Sequence, residues 1–210
     1  MEFWSRLEDA RSRWNVLEHP FYQRWSAGEL TRDELAVYAG EYRHAVVALA
    51  GAAAATAGQA PSALQAGLRA HAAEEASHVA LWDGFATAFG GDTNRPATPE
   101  AADCAAAWAG DDGRGFLEGM VALYAIESGQ PAVSETKLAG LREHYEVQEG
   151  PATAYFTLHA ELDKDHAAAA RAVIEPQLAD ADQDALVAEA ERVLEANWRL
   201  LDGVERLNGR

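Results

Sequence analysis

Apolar positions recur along the chain at the spacing of helix faces, and no segment alternates apolar and polar residues as a half-buried strand would. Proline, glycine and Asp/Thr punctuation divide this pattern into about eight helices. The first is predicted over about 2–16, followed by a short one in "HPFYQRWSAG". Thr31 with Glu34 three residues later forms a capping-box signature, which opens a long helix reaching about Ala57. Pro61 and Ser62 open the next helix, and Gly90-Gly91 end it. After the loop "GDTNRPATPE", Thr98 as N-cap and Pro99 at the first helical position begin a short helix. Residues 110–113 break the chain before "FLEGMVALYAIESG", which Pro131 divides from "VSETKLAGLREHY". Gly150-Pro151 leads into "YFTLHAELDKDHAAAARAVIE", and a last helix covers about 183–207. The chain therefore reads as all-α, without an internal repeat.

Length supports one domain over residues 1–210 with one sizeable core. Thirty-four acidic side chains against 17 basic ones give a net charge of −17, with no basic run to follow a phosphate backbone, so nucleic acid is not an expected partner. The longest apolar stretch, "AVVALAGAAAATAG", is alanine-rich and shorter than the roughly 20 residues of a membrane span, so it is expected to be a close-packed buried helix. A lone cysteine, Cys104, and charges where a signal peptide has its apolar core give the expectation of a cytoplasmic protein.

Candidate chemistry lies in three of the helices. His159, Asp163 and His166 stand at i, i+4 and i+7, so they project from one face and are able to share a metal; equally, they fit a solvated face. Glu75 and His78 form Glu-x-x-His, the spacing of helical carboxylate di-iron proteins, although a charged face again accounts for it. Glu74 competes with Glu75, because Glu74-x3-His78 also shares a face. Glu127 sits in an otherwise apolar run, where a buried carboxylate needs a cation or donor opposite. Together Glu75, His78, Glu127, His159, Asp163 and His166 supply three carboxylates and three imidazoles. That mixed N/O set suits two irons that keep positions open for O₂, whereas zinc sites use fewer ligands with more Cys and His. His71, one turn before Glu75, is placed at most as an outer neighbour of the ligands; His19 reads as a capping or packing residue, and His44 and His144 as exposed.

The segments "HPFYQRWSAGELTRDELAVYAGEY", "EEASHVALW", "LYAIESGQPAVSETKLAGLREHY" and "YFTLHAELDKDH" resemble, in order, the heme-oxygenase-like di-iron oxygenases. Within them the similarity is greatest to the para-aminobenzoate synthases, whose chlamydial member associates with death domains. The resemblance spans nearly the whole chain. It implies the helical bundle shared with the TenA thiaminases and the quinone-cofactor synthase PqqC, two Fe(II)/Fe(III) ions, O₂ as co-substrate, an external reductant and a homodimer. It places metal ligands on Glu127, His159, Asp163 and His166; at "EEASH" the spacing is three residues shorter than in the chlamydial protein and is similar to that of alkene-forming fatty-acid decarboxylases. It also matches Tyr22 to the source of the product ring, Lys137 to an amino donor and Tyr155 to a tyrosine near the metals. A tyrosine that precedes the ligand glutamate in that family is Ile126 here. Read without the resemblance, Tyr22 and Tyr155 are core aromatics and Lys137 a solvated side chain.

The function expected is therefore di-iron O₂ activation, with para-aminobenzoate formation from the protein's own tyrosine as the specific reaction. Tyr22 then has to lie within hydrogen-bond or short electron-transfer reach of the metals. An external fatty-acid or amino-acid-like substrate is the alternative, and an elongated apolar cavity beside the metals is its signature. A metal-free TenA-like enzyme or binding protein is the third reading.

Overall fold

The computed structural model describes residues 2–110 and 113–210. Among them are nine α-helices and no strand: α1 (Phe3–Arg13), α2 (Pro20–Ala27), α3 (Arg32–Gln59), α4 (Ser62–Phe89), α5 (Pro99–Ala109), α6 (Phe116–Glu127), α7 (Gln130–His144), α8 (Ala154–Ile174) and α9 (Gln183–Leu207). The predicted all-α bundle is what forms, with one more helix than the approximate count. The break expected at 110–113 includes residues 111 and 112, which lie outside the described residues.

Local chemistry fixes most boundaries. Thr31 Oγ1 accepts from the Glu34 amide, and the Glu34 carboxylate accepts from the Thr31 amide, completing the capping box. Thr98 caps α5 with Pro99 behind it. Gly90 ends α4 at φ +77°, a left-handed conformation that a side chain would strain. Two predicted boundaries move. The first helix ends at Arg13 instead of about 16, because the Asn15 side chain accepts from the Leu17 amide and starts a separate 3₁₀ turn. Pro131 does not divide two helices: it lies in the first turn of α7, where a missing N–H costs nothing, and Ser128-Gly129 make the break.

The alanine-rich run in α3 is also not buried all round as predicted. Ala45, Ala48, Ala52, Ala53 and Ala57 face the core, while Ala54, Ala55 and Val47 are exposed. Small residues on the inner face let α3 approach its neighbours closely. The same logic operates at Gly140 in α7, where an added Cβ would come within 2.6 Å of the Trp25 ring on α2.

The core is a continuous aromatic cluster, with Phe21, Trp25, Leu35, Tyr38, Trp82, Phe85 and Phe156 fully buried. Burying a side chain of this size contributes about 1.5–3 kcal/mol. Helices α4, α6 and α8 pack around one end of that cluster. No described helix is long and apolar enough to cross a membrane.

Candidate metal centre

Seven buried carboxylate and histidine positions are brought toward one another by α4, α6 and α8. On α4, one turn separates His71 from Glu75 and another separates Glu75 from His78. On α8, His159, Asp163 and His166 repeat the same His-x3-acid-x2-His spacing. Glu127, the last residue of α6, faces both helices.

Two groups of donor atoms form, each with all its atoms within 4.8 Å of one another: His71, Glu75, Glu127 and His166; and Glu75, His78 and His159. Glu75 belongs to both, as a bridging carboxylate would. The nearest pairs are His71 Nε2 to Glu127 Oε1 at 3.1 Å and His78 Nδ1 to Glu75 Oε1 at 3.1 Å. The rings pair as well, His71 with His166 at 4.2 Å and His78 with His159 at 4.6 Å between centroids. Asp163 is in neither group; its Oδ1 lies 3.6 Å from His166 Nδ1.

Hydrogen bonding separates these residues from the other buried acids. Glu41 is satisfied by Arg95 and by the amide and hydroxyl of Thr98. Glu34 is satisfied by Arg24 and its own cap. By contrast both oxygens of Glu127 and of Asp163, one oxygen of Glu75, and ring nitrogens of His71, His78, His159 and His166 are buried without a hydrogen bond. Each unmet buried group costs about 1–3 kcal/mol, more when charged, and so many around one point are accounted for by bound cations.

The outer partners set the imidazoles for metal binding. His159 Nδ1–H donates to the Tyr155 carbonyl at 2.7 Å, which leaves the Nε2 lone pair directed inward. His166 Nε2–H donates to Glu74 at 3.3 Å, leaving Nδ1 toward Glu75 and Asp163. Glu74 itself is exposed, and it is Glu75 that lies between the two groups.

Without metal, protons stand in for the cations. Burial would lower His166, yet Asp163, Glu127 and Glu75 raise it to about 9. His71 is raised too, Glu127 outweighing burial. Burial raises Glu127 despite His71 beside it. Burial lowers His159, whereas Glu75 is lowered because His78, His159 and His71 overcome its burial.

The remaining predicted residues line an adjoining chamber. The Lys137 side chain is 1 % exposed, far from the solvated lysine of the bland reading. Its Nζ lies among five rings, 5.5 Å from Tyr22, 5.3 Å from Tyr38, 5.0 Å from Tyr42, 5.4 Å from Trp82 and 4.9 Å from Phe156. No carboxylate among the described residues pairs with it, and burial holds its amine well below the usual lysine range. Tyr22 is fully buried, its hydroxyl 3.1 Å from that of Tyr38. Tyr155 stacks on His159, centroids 3.9 Å apart. His19 caps α2 by accepting from the Phe21 amide, as read from the sequence. His44 is half-buried rather than exposed and donates to the Arg95 carbonyl; His144 is exposed.

Sequence reasoning set His71 too low and overlooked Tyr38, Tyr42 and Trp82. A signal for His71 was present, since His71-x3-Glu75-x2-His78 duplicates the spacing on α8. The aromatic cage had none, because its members come from α2, α3, α4 and α8 and meet only on folding.

A cavity of about 330 Å³ opens onto the first donor group, with Leu64, Leu68, Met120, Leu123 and Val173 joining His71, Glu127 and His166 in its wall. A larger one, about 790 Å³, lies along the outer face of α8 and touches neither group.

A sequence model of the family described as iron-containing redox enzyme, heme-oxygenase-like, matches residues 38–198. The chain belongs to that family. This iron-containing redox enzyme is 30% identical over 214 residues to a 4-aminobenzoate synthase of Chlamydia muridarum, covering 96% of this chain and 89% of the relative. It is 32% identical over 211 residues to a 4-aminobenzoate synthase of Nitrosomonas europaea, covering 90% and 85%. Among solved structures it superposes on a heme-oxygenase-like domain from Shewanella denitrificans with a TM-score of 0.82 at 18% identity, covering 100% and 94% of the two chains. A TenA homologue from P. horikoshii gives 0.80 at 15%, covering 98% and 99%. These likenesses give the heme-oxygenase-like fold, and the family gives an iron oxidoreductase whose donor set, mixed carboxylate and imidazole without thiolate, is suited to iron.

Proposed function

We propose that this enzyme activates O₂ at two irons and forms 4-aminobenzoate from its own Tyr22 and Lys137. The observation that carries the reading is the Lys137 amine, buried without an anionic partner among tyrosine rings beside two donor groups that share Glu75. Two relatives named for 4-aminobenzoate synthesis, similar over nearly their whole length, support it.

In this reading His71, Glu75, Glu127 and His166 hold one iron, and Glu75, His78 and His159 the other, with Asp163 close enough to join through a side-chain shift. Bound iron supplies the reduction of O₂ and the oxidising equivalents. The protein does the rest. Tyr22 supplies the ring, with its Cβ as the carboxyl carbon once the Cα–Cβ bond breaks. Lys137 supplies nitrogen at the ring carbon that carried the phenol oxygen. Burial keeps the amine unprotonated and so nucleophilic, and the cage excludes water that would compete for an oxidised ring.

The test is addition of Fe(II), reductant and O₂ to protein containing isotope-labelled lysine, with no substrate. Labelled 4-aminobenzoate should appear at no more than one molecule per chain, with loss from the Tyr22 side chain in peptide mass spectra. Tyr22→Phe should abolish the product and keep iron binding.

The apolar cavity against His71 and Glu127 favours one second reading, oxidation of an external aliphatic substrate bound there. Sustained turnover of an added fatty acid by Tyr22→Phe would establish that reading in place of the first.

A further inference from the structure

Tyr22 has to lose electrons to the metal centre, yet it touches neither donor group. Its hydroxyl contacts Tyr38 at 3.1 Å, and the rings between that pair and the metal ligands belong to Trp82 and Tyr155. From the metal side, the His159 ring stacks on Tyr155 with centroids 3.9 Å apart. Tyr155 meets the Trp82 indole edge-on at 5.0 Å. Trp82 then lies 5.8 Å from Tyr38 and 5.0 Å from Tyr42, which is itself 5.3 Å from Tyr38. Every step is between neighbouring rings, and the line starts on a donor residue and ends on the phenol pair.

Trp82 is the member through which both branches pass. We propose that Trp82 is an electron-transfer relay, passing an electron from the Tyr22–Tyr38 pair through Tyr155 and His159 to an oxidant formed with O₂ at the metal centre. This rests on the functional reading above. The balance is one electron and one proton: the phenol pair is oxidised to a phenoxyl radical, the electron reduces the metal-centred oxidant, and the phenol proton passes to the Lys137 amine that faces both rings.

The surroundings of the indole suit transient oxidation. Trp82 Nε1–H donates to the Ala39 carbonyl at 2.8 Å, an acceptor too weakly basic to take the proton, so the oxidised indole keeps it and is re-reduced by a phenol. Phe85 and Phe156 close the ring in at 5.2 and 5.8 Å, and the residue is fully buried, so water does not reach the radical. Burial also holds Tyr22, Tyr38 and Tyr155 protonated, so oxidation of the phenols requires the proton acceptor that Lys137 provides.

The experiment uses the iron-loaded, reduced protein mixed with O₂ and frozen for electron paramagnetic resonance, with iron oxidation followed optically. Trp82→Phe should leave iron content and the rate of iron oxidation as in wild type while lowering the phenoxyl signal at least about tenfold; Trp82→Tyr, with a redox-active ring, should restore it. In the Tyr22→Phe/Tyr38→Phe protein the oxidising equivalent has no phenol pair to reach, and peptide mass spectrometry should find oxygen added to Trp82 above the other five tryptophans. A wild-type phenoxyl yield in Trp82→Phe overturns the relay. So does an unoxidised Trp82 in the double variant, which decides the matter if Trp82→Phe fails to fold. A wild type that forms the phenoxyl radical and releases no 4-aminobenzoate overturns the functional reading and leaves the relay standing.

Discussion

His71 and His166 carry charge in the metal-free protein that metal has to displace. Their pKa values in the fold lie above the ordinary 6.5, His166 at about 9, so their protonated forms stabilise the metal-free protein below pH 6.5. That contribution is lost as pH rises from 6.5 through 9, because the folded state alone then holds the protons. Metal binding has the opposite sign, since a ligating imidazole must be neutral. Thermal unfolding should therefore show the metal-free protein losing stability between pH 6.5 and 9 and the difference made by added Fe(II) or Mn(II) widening over the same range. Calorimetry at pH 7 in buffers of different ionisation enthalpy should detect proton release on metal binding. His71→Ala should lower bound metal to about one ion per chain, as should Glu127→Ala, because each removes a donor from one group and leaves Glu75, His78 and His159 in place. Two ions retained by both variants would assign the ligands elsewhere. Glu74→Ala should reduce affinity less than Glu75→Ala, since Glu74 only orients His166.

Helices were the legible level of this chain, for reasons that are local. The Thr31–Glu34 box, Thr98-Pro99 and Gly90 act through bonds and dihedrals within a few residues, so the sequence displays them directly. The face shared by His159, Asp163 and His166 was legible for the same reason, as helical geometry relates them. What it did not display is register between helices: that Glu75 lies between both groups, that Asp163 stands aside, and that Lys137 turns into an aromatic chamber all depend on how α4, α7 and α8 pack. Contacts such as Gly140 against Trp25 set that register. Gly140→Ala places a methyl within 2.6 Å of the indole and should destabilise the protein by about 1–3 kcal/mol, seen as a lower denaturant midpoint with unchanged slope. Thr31→Ala, which removes only a cap, should cost about 1 kcal/mol.

Over the whole molecule, the aromatic core and the reactive chamber are one structure, and this sets stability against function. A lysine whose amine lies among five rings without an anion forgoes hydration that an apolar side chain of similar length would not need. Lys137→Met should stabilise the fold by about 1–3 kcal/mol, or roughly 2–4 °C in Tm per kcal/mol for a chain of this size, while eliminating 4-aminobenzoate. The sign with pH follows from the depressed pKa. Between the folded value and the ordinary 10.5 the unfolded chain binds a proton on Lys137 that the folded chain does not, so wild-type stability gains from this residue as pH rises. The advantage of Lys137→Met should accordingly be largest at neutral pH and shrink as pH approaches 10.5. Equilibrium unfolding of both proteins without metal, at matched pH values, isolates the effect, because the His71 and His166 contributions are common to both and cancel. A constant difference across that range would mean that Lys137 is charged in the fold, and with it the nucleophilic amine of the proposed reaction would be lost.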